Sequence, residues 1–233
     1  MKIKSAKLVP RLGIYLVGLV ILAFGITLAV NSNLGVSPVT SLPYVVSQVL
    51  HVTLGTCTII VYTFYIFLQM LIHGKKFQPA LLLQLVFSTL FGYLVDGTKL
   101  ILGDFIPTSY LGQVMMLAAS IVLISFSLVL YIDVKIAPMP PEGLVTCIAD
   151  KLGKPFPKIK TIFDCVSVAV GLCLCFLFLG KVVGIREGTI VTALLVGKLT
   201  GFFRKQLTPF LQKTCFLICY VNSVTSNLHP GSK

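Results

Sequence analysis

Long apolar runs alternate with short polar breaks along the chain. The runs cover 12–30, 55–73, 79–99, 110–132, 160–180 and 188–203. A membrane-crossing helix needs about 20 mostly apolar residues, so each run is a candidate span. The last is short: Gly188 to Phe203 would rise about 24 Å, against a hydrocarbon core of ~30 Å. Two breaks differ from ordinary loops. "NSNLGVSPVTSLP" (31–43) and "DVKIAPMPPEGLV" (133–145) each lead into a second, shorter apolar segment, 39–50 and 142–152. Ser37 reads as a helix N-cap and Pro38 as a first helical residue, a place Pro140 shares in the second break. Segments of this length are re-entrant or interfacial rather than spanning. The expected fold is an all-α polytopic membrane protein with six spans and two short re-entrant or interfacial helices.

Composition supports this pattern. Of 233 residues, 56% are hydrophobic and 11% charged, far fewer charges than the ~25% of a soluble domain. One membrane domain, 1–203, takes nearly the whole chain, and 204–233 reads as a cytosolic tail, interfacial or disordered. The net charge of +12 does not point to nucleic acid, because the basic residues lie between apolar runs. If the short segments do not cross, the N-terminal arm, "HGKKF" (73–77), "DKLGKPFPKIK" (150–160) and "FRKQ" (203–206) share one side. That is a positive-inside pattern with both termini cytosolic in a multi-pass plasma or inner membrane protein. The first run ends in Asn31-Ser32-Asn33 rather than a small-residue cleavage site, so it reads as a span and not a removed signal.

Re-entry from opposite sides suggests an internal repeat. A shift of 102 positions aligns Ile14–Ile72 with the second half without a gap. It superposes Pro38 on Pro140, Asn31 on Asp133, Tyr62 on Asp164, Gly18 on Ser120 and Gly25 on Ser127. Three spans per half make the halves, about 12–102 and 110–203, inverted relative to each other. In transporters built this way the broken helices frame a midplane site.

The stretches "LGVSP" (34–38), "FGYLVDG" (91–97), "PPEGLV" (140–145), "KIKTIFD" (158–164) and "GIREGTIVTALLVG" (184–197) resemble the YczE/YyaS/YitT-like bacterial integral membrane proteins over roughly residues 10–203. The resemblance implies a multi-spanning bacterial membrane protein and no particular activity.

Ionisable residues within apolar spans are costly and are candidates for function. Glu142 stands first: it is either a carboxylate capping its own helix or a proton- or cation-binding group. Asp164 lies one turn beyond Lys160 and should pair with it. Asp96 can pair with Lys99 at i, i+3. Arg186 and Glu187 precede the short sixth run, and a dip there would bring Arg186 to Asp96 or Glu142; otherwise they sit in a solvated outer loop. Asp133, Asn31 and Ser37 complete the candidate set. Lys198 reads as snorkelling to the cytosolic interface, and Gly18 and Gly25 as a close-packing face.

The cysteines and histidines show no metal-ligand spacing, and no hydrolase, zinc-protease or nucleotide-binding motif appears, so neither an enzyme nor a bound cofactor is expected. The expected partners are membrane lipid, a small solute and a coupling proton or cation. The reading is a small-solute transporter with its site at the broken helices. The alternatives are an accessory protein with a partner at the cytosolic face, or the solute-binding subunit of a larger importer. Reporter fusions after Gly74 and after Gly103 should report inside and outside respectively; an external residue 74 would overturn the six-span topology.

Overall fold

The computed structural model describes residues 8–74, 80–134 and 136–226, with side chains over 11–74, 81–134 and 136–207. Residues 1–7 of the N-terminal arm, Lys75 and Lys76, whose charges entered the topology argument, lie outside the described residues, as does Lys135. Among the described residues, eight α-helices follow one another: α1 (Leu8–Asn31), α2 (Pro38–Leu50), α3 (Leu54–His73), α4 (Ala80–Leu102), α5 (Tyr110–Asp133), α6 (Pro140–Leu152), α7 (Phe156–Leu174) and α8 (Glu187–Ser226). A π-helical turn, Cys175–Leu179, extends α7. Five helices among the described residues (α1, α3, α4, α5, and α7 with its π turn) are long and apolar enough to cross a membrane. The sixth expected run opens α8. Charges at Lys198, Arg204 and Lys205 interrupt its apolar character, and the helix continues past Phe203 to Ser226.

The two short helices form where the prolines and caps directed. Ser37 Oγ accepts the Thr40 N–H at 3.4 Å, and Pro38 opens α2. Pro140 and Pro141 open α6, whose preceding residue, Met139, supplies no side-chain cap. Most residues of both helices are buried or half-buried. α2 packs on α3 and α7, and α6 on α3 and α7. They are inserted into the bundle and do not lie along its outside.

The bundle is organised around α1 and α5, which cross antiparallel. Gly18 lies against Leu130 and Tyr131, and Gly25 against Ile124 and Leu123; a Cβ at Gly25 would come within 2.8 Å of Ile124. The aligned serines, Ser120 and Ser127, are fully buried. Small residues let the two backbones approach, as expected for helices packed in lipid. Each of the two helices then carries a neighbour in the same register. Thr27 meets Thr98 at 2.8 Å, a separation of 71 residues between α1 and α4. Asp133 meets Arg204 across the same 71-residue separation between α5 and α8, as does Ser125 with the Val196 carbonyl. Hence α8 runs alongside α5 from Gly188, which abuts Leu117, to Arg204 beside Asp133. The stretch thought short therefore covers the same height as most of a full span.

The polar break 31–37 is clamped to the connection before α8. The Val36 N–H donates to Gly184 O and the Gly188 N–H to Leu34 O, each at 2.9 Å. Gly35 has φ +121°, and a Cβ there would meet Thr189 Oγ1 at 2.7 Å. No side chain other than hydrogen fits that turn.

One close interface has no counterpart under the 102-residue shift. α3 and α4 pack closely, with Gly55 against Gly92; a Cβ on either would overlap the facing helix. α7 and α8 have no comparable interface. Gly55→Ala should destabilise the protein by about 1–3 kcal/mol, the usual cost of overpacking, read as a lower Tm in detergent. Gly97→Ala, which meets open space, should leave Tm unchanged or raise it slightly.

Candidate functional site

The absent α7–α8 interface leaves a cavity of about 580 Å³. Its walls are mainly apolar, from Leu22 and Ile26 on α1, Ile124 and Leu128 on α5, and Val196 on α8. Aromatic rings of Tyr62, Tyr131 and Phe156 join them. The first turns of both short helices reach it, with Ser37, Pro38 and Thr40 from α2, and Glu142 from α6 with Met139 just before it. Many lining residues form pairs under the 102-residue shift: Leu22 with Ile124, Ile26 with Leu128, Ser37 with Met139, Thr40 with Glu142, and Tyr62 with Asp164. At one end the lining includes Phe156, Thr161 and Arg204, which are exposed, so the cavity opens between the start of α7 and the middle of α8.

Glu142 is the central polar group. Its Oε2 is inaccessible and meets no hydrogen-bond donor, although the residue as a whole keeps partial exposure because it lines the cavity. The carboxylate bonds to its own backbone N–H and accepts from the Tyr131 hydroxyl, with Tyr62 close by. It therefore caps α6, the first of its two sequence readings, and still has an oxygen to spare. The backbone explains why the carboxylate is needed. Prolines 140 and 141 have no N–H, and the Gly143 N–H is bonded to Met139 O. That leaves Glu142 as the polar group that α6 presents.

Lys160 and Asp164 pair as expected, at 2.5 Å, and line the cavity together. Asp133 pairs with Arg204 at 2.6 Å at the cavity's open end. Ser37 caps α2 and bonds to Thr40 Oγ1 at 2.6 Å. The remaining candidates lie outside the cavity lining. Asp96 does not pair with Lys99. It accepts from Thr53 Oγ1 at 2.6 Å and from the Gly55 N–H at 2.7 Å, capping α3 from α4. Backbone donors at a helix start attract a carboxylate more than a lysine one turn away on the same helix does. Lys99 turns instead to Asn31 Oδ1 at 2.6 Å and to Asp104 at 2.8 Å. The hydrogen bond from Lys99, together with its charge, holds the Asp104 carboxyl below the usual range. Asn31 also donates to Gly103 O at 3.0 Å, so it ties α1 to the α4 end. Arg186 reaches neither Asp96 nor Glu142. It pairs with the adjacent Glu187 and donates to Asn33 O at 2.9 Å, because the backbone clamp holds it at an exposed edge.

A search for ionisable residues misses several groups at the site. Thr192 and Thr200 line the cavity from α8, and neither hydroxyl has a partner. Other buried hydroxyls bond to carbonyls of their own helix, as do Thr27, Ser41, Ser120, Ser125 and Ser127. Register accounts for Thr200: its shifted counterpart is Thr98, whose partner Thr27 corresponds to Val129. Gln69 and Gln84 close on Gly143 from α3 and α4, and Gln69 Nε2 donates to Pro140 O at 3.1 Å. The signal for these was an amide or hydroxyl recurring within an apolar run.

Comparison with known proteins adds a family. The profile described as "Family of unknown function (DUF6198)" matches residues 9–205. The chain belongs to this family. The DUF6198 chain is 29% identical over 208 residues to the uncharacterized membrane protein YczE of Bacillus subtilis (strain 168), covering 88% of this chain and 90% of the relative. It is 28% identical over 191 residues to the uncharacterized protein YyaS of the same organism, covering 81% and 90%. The YczE/YyaS resemblance is thus borne out, and the chain is a membrane protein. No solved structure matches it. Within this DUF6198 chain, Gln69→Leu removes a buried hydrogen bond to the Pro140 carbonyl, which keeps its own helical partner. It should cost about 1 kcal/mol, read as a lower Tm.

Proposed function

We propose that this protein is a small-solute transporter whose binding site is the cavity between the two broken helices. One observation carries the reading: the cavity is lined by corresponding residues of both halves and contains a buried carboxylate oxygen without a partner. A 3+3 inverted repeat explains the pairing. The antiparallel α1–α5 crossing and the shared 71-residue register of α1 with α4 and α5 with α8 support that repeat. Sites at the junction of inverted repeats, formed by discontinuous helices, are a recurring transporter design. A volume of about 580 Å³ is within the range of small-molecule sites, roughly 300–1,000 Å³.

The cavity opens at the end bearing Lys154, Lys158 and Arg204, the end that the positive-inside rule assigns to the cytosol of a plasma-membrane protein with cytosolic termini. The described conformation is then inward-open. The clamp between 31–37 and 184–188 seals the other end.

The test is a thermal-shift screen of purified wild type and Glu142→Gln against a broad metabolite panel, followed by uptake into vesicles. A bound solute at 100 times its Kd should stabilise wild type by about 2.7 kcal/mol. Glu142→Gln should stay folded and lose both that stabilisation and uptake. Unchanged uptake in the variant would remove Glu142 from the site, and a protein that binds but never moves the solute would favour a binding subunit.

A further inference from the structure

The cavity's chemistry specifies more than a small solute. Resting on the transporter-site reading, we infer that the ligand is an organic monocation, an ammonium group on an apolar or aromatic body, with the ammonium against Glu142.

Four charged groups line the cavity, and three of them are already compensated. Lys160 is neutralised by Asp164 and Arg204 by Asp133. What remains is one carboxylate. It feels the Lys160 charge only at longer range, past the closer Asp164 pair, and it has a backbone and a Tyr131 hydrogen bond but one oxygen lacking a donor. A buried charge without a counter-charge is costly, so the missing element is a cation or a proton. A proton would neutralise Glu142 but would not use the rest of the cavity. The Thr192 hydroxyl, on a residue 1% exposed, and the Thr200 hydroxyl are also unpartnered. They lie two turns apart on the α8 face that lines the same cavity. An ammonium has several N–H donors to divide between a carboxylate and such hydroxyls.

Anions fit poorly. A helix N-terminus attracts anions through free N–H groups, and α6 has none to offer: two prolines begin it, Glu142 occupies its own N–H, and Gly143 bonds to Met139 O. At α2, Pro38 has no donor and the Thr40 and Ser41 N–H groups are bonded to Ser37, which leaves the single Val39 N–H, set against the negative charge of Glu142 across the cavity. A bare metal ion also fits poorly, because no group of three or more His, Cys, Asp or Glu is assembled among the described residues and hard cations need six or more oxygens. An ammonium with a hydrocarbon body matches both the apolar walls and the Tyr62 and Tyr131 rings beside the carboxylate, whose faces attract cations.

The full-length protein in detergent would be titrated with phenethylammonium, 2-phenylethanol and phenylacetate, by thermal shift and calorimetry. These probes share a ring and differ in charge. The ammonium should bind wild type, with the alcohol and the carboxylate at least about tenfold weaker, a difference of ~1.4 kcal/mol. Glu142→Gln should weaken the ammonium by about tenfold or more. Thr192→Val, which removes one hydroxyl and keeps the shape, should weaken it several-fold without altering the unliganded Tm, so the inference stays testable if Glu142→Gln misfolds. Equal or tighter binding of the alcohol or the carboxylate would overturn the cation inference. If Gly197→Trp, which fills the cavity, then abolished that binding, the solute site itself would stand. Ammonium binding unaffected by Glu142→Gln and Thr192→Val would also overturn the inference. So would the absence of binding by all three probes, and the transporter reading would then rest on its own uptake test.

Discussion

A helix that begins inside a lipid-embedded protein must dispose of the N–H groups of its first turn, because lipid offers no acceptor. The two broken helices answer this constraint differently. α2 has one proline and a serine cap. α6 has two prolines and a carboxylate at its third residue. Both solutions need a pocket of protein around the helix start. The antiparallel α1–α5 pair provides it, along with α3 and α7 packed on the broken helices from opposite halves. The cavity, its acid and the crossing of α1 and α5 through Gly18 and Gly25 follow from placing two helix starts in the interior.

Much of this architecture was legible in the sequence. Apolar runs locate the long helices, and Ser37, Pro38 and Pro140 locate the starts of the broken ones, because a proline acts locally on its own backbone. The Lys160–Asp164 pair was legible for the same reason: one helical turn fixes the partners. The Asp96–Lys99 pair was misassigned because each found its partner through tertiary contact, and tertiary contact likewise decided between the two readings of Arg186. Asp96 bonds across to α3, Lys99 back to α1, and Arg186 to the backbone of a remote loop. Spacing within one helix cannot reveal a donor on another. Thr192 and Thr200 were missed for a related reason. A threonine in an apolar helix is unremarkable while it bonds to its own carbonyls, and only the structure identifies those that do not.

The charges divide along the same line. Asp133–Arg204 and the Asn31–Lys99–Asp104 chain secure helix ends against their neighbours, at equivalent places in the two halves. Lys160–Asp164 balances itself within the cavity wall. Glu142 is different in kind, because part of it serves its own helix while one oxygen is left over.

The glycine contact between α3 and α4 has a wider consequence. Under the 102-residue shift, Gly55 and Gly92 correspond to Pro157 and Leu194. Neither can let a facing backbone approach as a glycine does, and α7 and α8 lack the close interface of α3 and α4. The bundle is therefore mechanically lopsided. It is welded along α3 and α4, while α7 and α8 stand apart with the cavity between them.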